Sequence, residues 1–214
     1  MLRAYFAGAQ SCPEKPGELD VLSAYRLERL RRIKPDRQRA LSFSAELLLI
    51  EALKILEPPD LPLDIYTLEG GKPALRHGPC FSLSHSGDLV FCAVSDAPVG
   101  ADVEKLPDKE PGCGLLERCL SEKERELCLE SENKKELFTL LWSLKESYAK
   151  MDGAGLGRLH LREISLELGP EGRAGVRGSD AKLSYYLHGG YVFSLCSESC
   201  AHPEEFLQLE LKPL

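Results

Sequence analysis

The alternation of apolar and polar residues predicts a first stretch of chain that mixes short strands with two helices. Strands are predicted at residues 2–7, 64–68, 80–84 and 89–95, and helices at residues 20–33 and 36–56. A Gly-Gly-Lys-Pro turn at residues 70–73 precedes the last two strands. These two strands read as a hairpin around Ser86, Gly87 and Asp88, so an antiparallel sheet is expected here.

The second stretch opens with a predicted strand at residues 99–104 and a loop rich in Pro, Gly and charge at 107–114. Helices are predicted at residues 115–120, 122–130 and 133–151, and strands at residues 163–168, 172–176, 182–187, 191–196 and 206–211. Ser121 and Glu124 form a capping box for the second of these helices. We therefore predict an α+β fold with two similar-sized halves, residues 1–98 and 99–214.

The strand at residues 99–104 carries two carboxylates. Residues i and i+2 of a strand point to the same face, so Asp102 and Glu104 converge while Val103 points into the core. Carboxylate oxygens are the ligands that Mg²⁺ prefers, and this ion keeps several waters. The alternative interpretation is an ordinary solvent-exposed strand face.

The helix predicted at residues 133–151 has two distinct faces. Its core stripe consists of Leu137, Leu141, Leu144 and Tyr148, and its second face of Thr139, Trp142, Glu146 and Lys150. Glu146 and Lys150 are one turn apart and could be a surface ion pair. Because a lone tryptophan is rarely placed on a fully solvated face, we favour a partly buried site. Three carboxylates and an ammonium group together suit phosphoryl transfer.

Two further motifs could serve a phosphate ligand. Ser84, His85 and Ser86 end a predicted strand, where the imidazole can donate to a phosphate, although a histidine without chemistry is the alternative. No Gly-x-Ser-x-Gly sequence surrounds these serines, so neither is predicted to be a nucleophile. Glycines at 153, 155 and 157 follow the long helix and would let a substrate approach the backbone.

Charge and composition exclude some classes of function. The net charge of −7 argues against nucleic-acid binding, yet residues 21–40 hold seven cations and only two acids. This basic segment predicts an anionic ligand or an acidic partner, or else a solvated helix face. No apolar run approaches 18 residues and no export signal is evident, so no membrane association is expected. Eight cysteines without a Cys-x-x-Cys motif predict free thiols and a cytoplasmic location.

Five motifs stand in an order that resembles the 4′-phosphopantetheinyl transferases, of the two-halved type that activates nonribosomal peptide synthetases. They are Gly-Lys-Pro at 71–73, Ser-His-Ser at 84–86, Gly-x-Asp-x-Glu at 100–104, Trp-Ser-x-Lys-Glu-Ser-x-x-Lys at 142–150 and Gly-x-Gly-Leu at 153–156. The likeness covers about residues 25–157. Beyond residue 160 it is only a general strand pattern.

The resemblance implies transfer of the 4′-phosphopantetheine group from coenzyme A to a serine of an apo acyl or peptidyl carrier protein, releasing adenosine 3′,5′-bisphosphate. It implies Mg²⁺ held by Asp102, Glu104 and Glu146, with Glu146 as general base. Lys150 would neutralise phosphate charge. A monomer is expected, because fused halves can form within one chain the site that half-sized relatives form between subunits.

The resemblance also implies the residues that bind coenzyme A: Ser84 and His85 at the phosphates, Lys72 and Pro73 along the nucleotide pocket, and Arg26, Arg29 and Arg39 at the nucleotide phosphates. The carrier would dock on the basic segment at 21–40 or on the loop at 106–120. Two rival functions share some of these residues. One is another Mg²⁺-dependent enzyme that cleaves a pyrophosphate, and the other is a non-catalytic coenzyme A-binding module.

Overall fold

Two β-sheets pack against each other in the computed structural model, which describes residues 1–14, 16–153, 160–199 and 202–211. The described strands are β1 (Leu2–Gly8), β2 (Ile65–Thr67), β3 (Pro73–Leu75), β4 (Cys80–Ser86), β5 (Leu89–Ser95), β6 (Val99–Lys105), β7 (Leu166–Leu168), β8 (Arg173–Val176), β9 (Lys182–His188), β10 (Tyr191–Ser197) and β11 (Glu205–Gln208). The described α-helices are α1 (Ala24–Arg32), α2 (Asp36–Leu56), α3 (Cys113–Cys119), α4 (Glu122–Glu130) and α5 (Lys134–Asp152).

The first sheet has the strand order β11-β1-β5-β4, the second has β6-β10-β9-β8-β7, and β2 pairs with β3 separately. Only the β1–β11 pair is parallel among the strand pairs of the described residues. A strand from the end of the chain thus completes the first sheet. The division of the chain at residues 98 and 99 stays a prediction.

Alternation of side chains places an apolar layer between the two sheets. Its members are Leu2, Ala4, Phe6, Phe91, Ala93, Val99, Ala101, Val103, Tyr191, Phe193 and Leu195. The outer face of the first sheet packs on α2, and the outer face of the second packs on α5. The molecule therefore has helices on both outer sides of a two-sheet core, and the α+β prediction is confirmed.

The predicted boundaries differ from the observed ones where side chains or turns intervene. The first helix begins at Ala24 instead of residue 20, because Ser23 accepts a hydrogen bond from the Arg26 backbone and caps it. A 3-10 turn, Leu161–Glu163, occupies the start of the strand predicted at 163–168. The single apolar stripe predicted for α5 is too narrow, because both sheet and helices bury this helix on nearly every side.

Two further observations concern the cysteines and the length of the helices. Seven described cysteines are free thiols, while Cys200 lies outside the described residues. Within the described ranges, no helix has both the length and the apolarity needed to cross a membrane.

β6 and α5 lie very close together at Gly100. A Cβ atom there would lie 1.8 Å from the Ser147 carbonyl oxygen and 2.5 Å from the Met151 backbone nitrogen. Only a residue without a side chain fits this contact. The glycine therefore sets the distance between the strand and the helix that carry the predicted acids.

We predict that Gly100→Ala lowers the free energy of unfolding by more than about 3 kcal/mol, because backbone atoms must move apart to admit the methyl group. Gly175→Ala, in the same sheet, is the matched control, since nothing lies within 4 Å of its added Cβ. Urea unfolding of both variants checks this. Equal stability of the two variants would contradict the close packing at Gly100.

Candidate active site

Asp102 and Glu104 of β6 face α5, which presents Glu146 and Lys150. Asp102 is 2% exposed and Glu146 is 6% exposed. Lys150 Nζ lies 2.6 Å from Asp102 Oδ1, so the ammonium and this carboxylate form an ion pair. The structure therefore brings Asp102 of the strand and Lys150 of the helix into contact.

Serine hydroxyls of β4 reach across to β6, although the two strands belong to different sheets. Ser82 Oγ accepts from the Ala101 backbone N–H at 2.9 Å. Ser84 Oγ donates to Asp102 Oδ1 at 2.8 Å and accepts from Lys150 Nζ at 2.9 Å. The edge of the first sheet thus contributes directly to the acid cluster.

Each carboxylate oxygen of Glu104 accepts a hydrogen bond from an uncharged side chain. Ser86 Oγ donates to Oε2 at 2.8 Å, and Trp142 Nε1 donates to Oε1 at 3.3 Å. Burial raises the pKa of Glu104 above its usual range, and nearby Asp102 adds to the effect. The Ser86 and Trp142 hydrogen bonds and the Lys150 charge oppose this shift.

Glu146 is the most strongly perturbed carboxylate of the cluster. Burial raises its pKa to about 7, with further contributions from Asp102 and Glu104 and a partial offset from Lys150. Asp102 and Glu104 are therefore close enough to Glu146 to raise its pKa. One lysine does not balance the combined charge of these three carboxylates.

The buried Asp102 Oδ2 atom has no hydrogen-bond partner within the described ranges, which makes it a candidate ligand for a cation. The described residues contain no group of three His, Cys, Asp or Glu side chains already gathered around one point. Mg²⁺ does not require such a cage, because it is commonly bound by one or two carboxylates, waters and substrate phosphates. The donor set therefore fits Mg²⁺ bound at Asp102, with Glu104 and Glu146 as further ligands, directly or through water.

A cavity of about 360 Å³ opens beside Lys150. Arg29, Lys72 and Pro73 line it together with Lys150 and Gly153. Lys72 Nζ donates to the carbonyl oxygens of Val99 at 2.8 Å and Met151 at 3.3 Å, and burial lowers its pKa. Lys72 therefore links the β2–β3 hairpin to the start of β6 and the end of α5 while it lines the cavity.

The three predicted arginines occupy different environments. Arg29 lines the 360 Å³ cavity. Arg26 is 5% exposed, and its Nε lies 3.1 Å from Glu46 Oε2. Arg39 lines another cavity, of about 700 Å³, and donates to the Leu30 carbonyl oxygen at 3.4 Å. The structure thus brings only Arg29 of this group to the cavity beside Lys150.

His85 lies close enough to Lys150, Arg29 and Arg26 for their charges to affect its pKa. Burial lowers its pKa, and the charges of Lys150, Arg29 and Arg26 lower it further. Its neutral imidazole can donate one hydrogen bond, as expected for a phosphate contact. Of the predicted glycine loop, Gly153 ends α5 in a left-handed conformation, while Gly155, Leu156 and Gly157 lie outside the described residues.

Sequence reasoning missed the supporting contacts. Ser82 and Ser86 were not assigned, although their alternation with Phe81 and Leu83 signalled a second, polar face of β4. Lys145, the first lysine of the motif at residues 142–150, was also given no role, and it is fully buried. It pairs with Glu124 and donates to the Cys119 carbonyl oxygen. No sequence signal distinguishes this buried lysine from an exposed one.

Comparisons with known proteins agree on one family. The model of the 4′-phosphopantetheinyl transferase superfamily matches residues 98–196. The chain is 35% identical over 156 residues to 4′-phosphopantetheinyl transferase psf-1 of Bacillus pumilus, covering 67% of this chain and 66% of that protein. It is 31% identical to 4′-phosphopantetheinyl transferase Sfp of Bacillus subtilis strain 168, covering 69% of each. It is 30% identical to a further 4′-phosphopantetheinyl transferase of Bacillus subtilis, covering 94% of this chain and 92% of that protein.

We predict that Glu146→Gln stabilises the metal-free protein at pH 8 and changes its stability little at pH 4. The folded-state pKa of about 7 exceeds the ordinary glutamate pKa of about 4.5, so burying this carboxylate costs stability as pH rises through that window. Urea unfolding in a chelator should show a gain of about 2 kcal/mol at pH 8. The exposed Glu126→Gln is the control. An equal gain for Glu146→Gln at both pH values would contradict the burial of an uncompensated charge.

Proposed function

This chain belongs to the 4′-phosphopantetheinyl transferases, and on that premise we propose its full reaction. It moves the 4′-phosphopantetheine group from coenzyme A to a serine hydroxyl of an apo acyl or peptidyl carrier protein. Adenosine 3′,5′-bisphosphate is released, and the reaction depends on Mg²⁺. The observation that carries this proposal is the unpartnered Asp102 Oδ2 atom beside Glu146, Glu104 and a cavity lined by cations.

Asp102, Glu104 and Glu146 would hold the metal, which when bound would offset charge on the pyrophosphate. Glu146 would also accept the serine proton, directly or through water, as the general base. The serine oxygen then forms a bond to the β-phosphorus of coenzyme A. The bond from that phosphorus to the bridging oxygen breaks, and this oxygen leaves on the nucleotide.

Lys150 connects the acid cluster with the proposed coenzyme cavity. Its ammonium group contacts Asp102 and Ser84 and also lines the cavity. It can therefore donate to a phosphate oxygen as negative charge moves toward the nucleotide. Ser84 contributes by orienting Asp102, in addition to any phosphate contact.

The nucleotide would occupy the cavity of about 360 Å³, with Arg29, Lys72 and Pro73 along its walls and His85 nearby. Arg26 and Arg39 are less suited to direct contact. Arg26 already has Glu46 as a buried partner, and Arg39 lines the separate cavity. We therefore propose Arg29 as the main arginine contact to a nucleotide phosphate.

The carrier would approach at a second cavity, of about 460 Å³, that Glu104 itself lines. Phe138 and Trp142 form its apolar wall, and its other charged lining residues are Lys105, Lys109 and Glu110. The apolar wall and the two lysines suit an acidic protein that presents a serine. This position agrees with docking on the loop at 106–120. Function as a monomer in the cytoplasm, without nucleic acid or membrane, remains part of the proposal.

Incubation with coenzyme A, Mg²⁺ and a panel of apo carrier proteins tests the reaction. We expect a carrier to gain the mass of one phosphopantetheine group, and Asp102→Asn to reduce the rate by at least about 100-fold through loss of metal-held charge stabilisation. Mass spectrometry of the carrier is the measurement. Cleavage of coenzyme A without carrier modification would favour the rival hydrolase, and binding without either reaction would favour the binding module.

Arg29 and Arg39 provide a matched pair for the nucleotide site. We predict that Arg29→Ala raises the KM for coenzyme A about tenfold and leaves kcat nearly unchanged, because it removes a charge-assisted contact made in ground and transition states alike. Arg39→Ala should leave this KM unchanged. Calorimetric titration of adenosine 3′,5′-bisphosphate provides a second readout. A larger effect of Arg39→Ala would move the nucleotide to the 700 Å³ cavity.

A further inference from the structure

Ser86 differs from the other hydroxyls of β4 in what it contacts. Its Oγ donates to Glu104 Oε2 at 2.8 Å and accepts from the Lys105 backbone N–H at 3.1 Å. Ser82, on the same face, contacts only backbone: the Ala101 N–H at 2.9 Å. Both serines connect the two sheets, but only Ser86 also reaches Glu104.

The Lys105 N–H fixes the direction of the Ser86 hydroxyl. A hydroxyl group has one hydrogen to donate and two lone pairs to accept with. Because the N–H occupies one lone pair, the hydroxyl hydrogen remains directed at the carboxylate of Glu104. A hydrogen bond from a neutral donor to an ionised carboxylate is stronger than one between neutral groups.

The turn after Ser86 holds this residue in place. Gly87 is the first residue of the two-residue loop between β4 and β5 and has a φ of 58°. A Cβ at Gly87 would lie 2.4 Å from the Tyr191 hydroxyl oxygen. The Asp88 backbone N–H donates to that same oxygen at 3.2 Å. The turn therefore packs on β10, and this contact fixes the position of Ser86 beside Glu104.

Trp142 holds the other oxygen of the same carboxylate, at 3.3 Å from Oε1. A carboxylate has about four lone-pair positions. One hydrogen bond to each oxygen therefore fixes the plane of the group and leaves positions free for a metal. Neither donor carries a charge that would compete with a cation.

We propose that Ser86 is a positioning residue that orients Glu104 for metal binding, together with Trp142. This inference rests on the proposed role of Glu104 as a Mg²⁺ ligand. It gives the first half of the chain a part in the metal site, beyond its proposed part in coenzyme binding. Partners of metal ligands in other proteins commonly change metal affinity about 10- to 100-fold when removed.

The test is calorimetric titration of the purified full-length protein with Mn²⁺ alone, without coenzyme A. We expect Ser86→Ala to weaken Mn²⁺ binding about tenfold. Ser82→Ala is the matched control, because it removes a hydrogen bond between the sheets without touching a carboxylate, and it should bind Mn²⁺ as the unaltered protein does. In turnover assays, the Mg²⁺ concentration that gives half the maximal rate should rise for Ser86→Ala, while the KM for coenzyme A stays unchanged.

An isosteric pair keeps the result interpretable if Ser86→Ala folds poorly. Ser86→Thr retains the hydroxyl and should retain Mn²⁺ affinity. Valine has the same shape as threonine but no hydroxyl, so Ser86→Val should bind Mn²⁺ about tenfold more weakly. Equal affinity of these two variants would overturn the role of Ser86. If the unaltered protein itself bound no Mn²⁺, the metal assignment in the proposed function would fail, and the role of Ser86 with it.

Discussion

The contact of α5 with β6 at Gly100 is the constraint on which the acid cluster depends. A side chain at this position would overlap the Ser147 carbonyl, so the helix could not lie against the strand at its present distance. Asp102 follows two residues later on the same face of β6. On α5, Glu146 and Lys150 each directly precede one of the two residues that contact Gly100, Ser147 and Met151. Close backbone packing thus places the charged groups together before any ligand is present.

The edges of the two sheets meet at the acid cluster, where serine side chains connect them. Ser82, Ser84 and Ser86 are spaced two apart on β4, so all three face β6. Their hydrogen bonds satisfy two backbone N–H groups and hold two carboxylates. Since the supports come from one sheet and the acids from the other, a change in how the sheets pack would also change the site. Two separate sheets thus contribute to one candidate site.

The sequence predicted the α+β fold and the face shared by Asp102 and Glu104, because period-two alternation on a strand is a local property. It could not predict that Arg26 would be buried against Glu46, since that contact joins two helices whose packing is not encoded in either alone. The sequence also could not predict that Arg39 and Arg29 would line different cavities, because this too depends on how the helices pack. Residues predicted from spacing within one strand or helix were therefore placed well, whereas contacts between them required the three-dimensional structure.

Two ion pairs on α5, one fully buried and one with a partly exposed lysine, have different roles in the structure. Lys145 pairs with Glu124, whose oxygens also accept from the backbone N–H groups of Ser121 and Leu166. That carboxylate is fully satisfied, so its pair serves to join helices. Asp102 pairs with Lys150, but its buried Oδ2 atom has no partner among the described residues. An uncompensated buried oxygen costs stability, and under the proposed function a bound cation would supply the partner that this atom lacks.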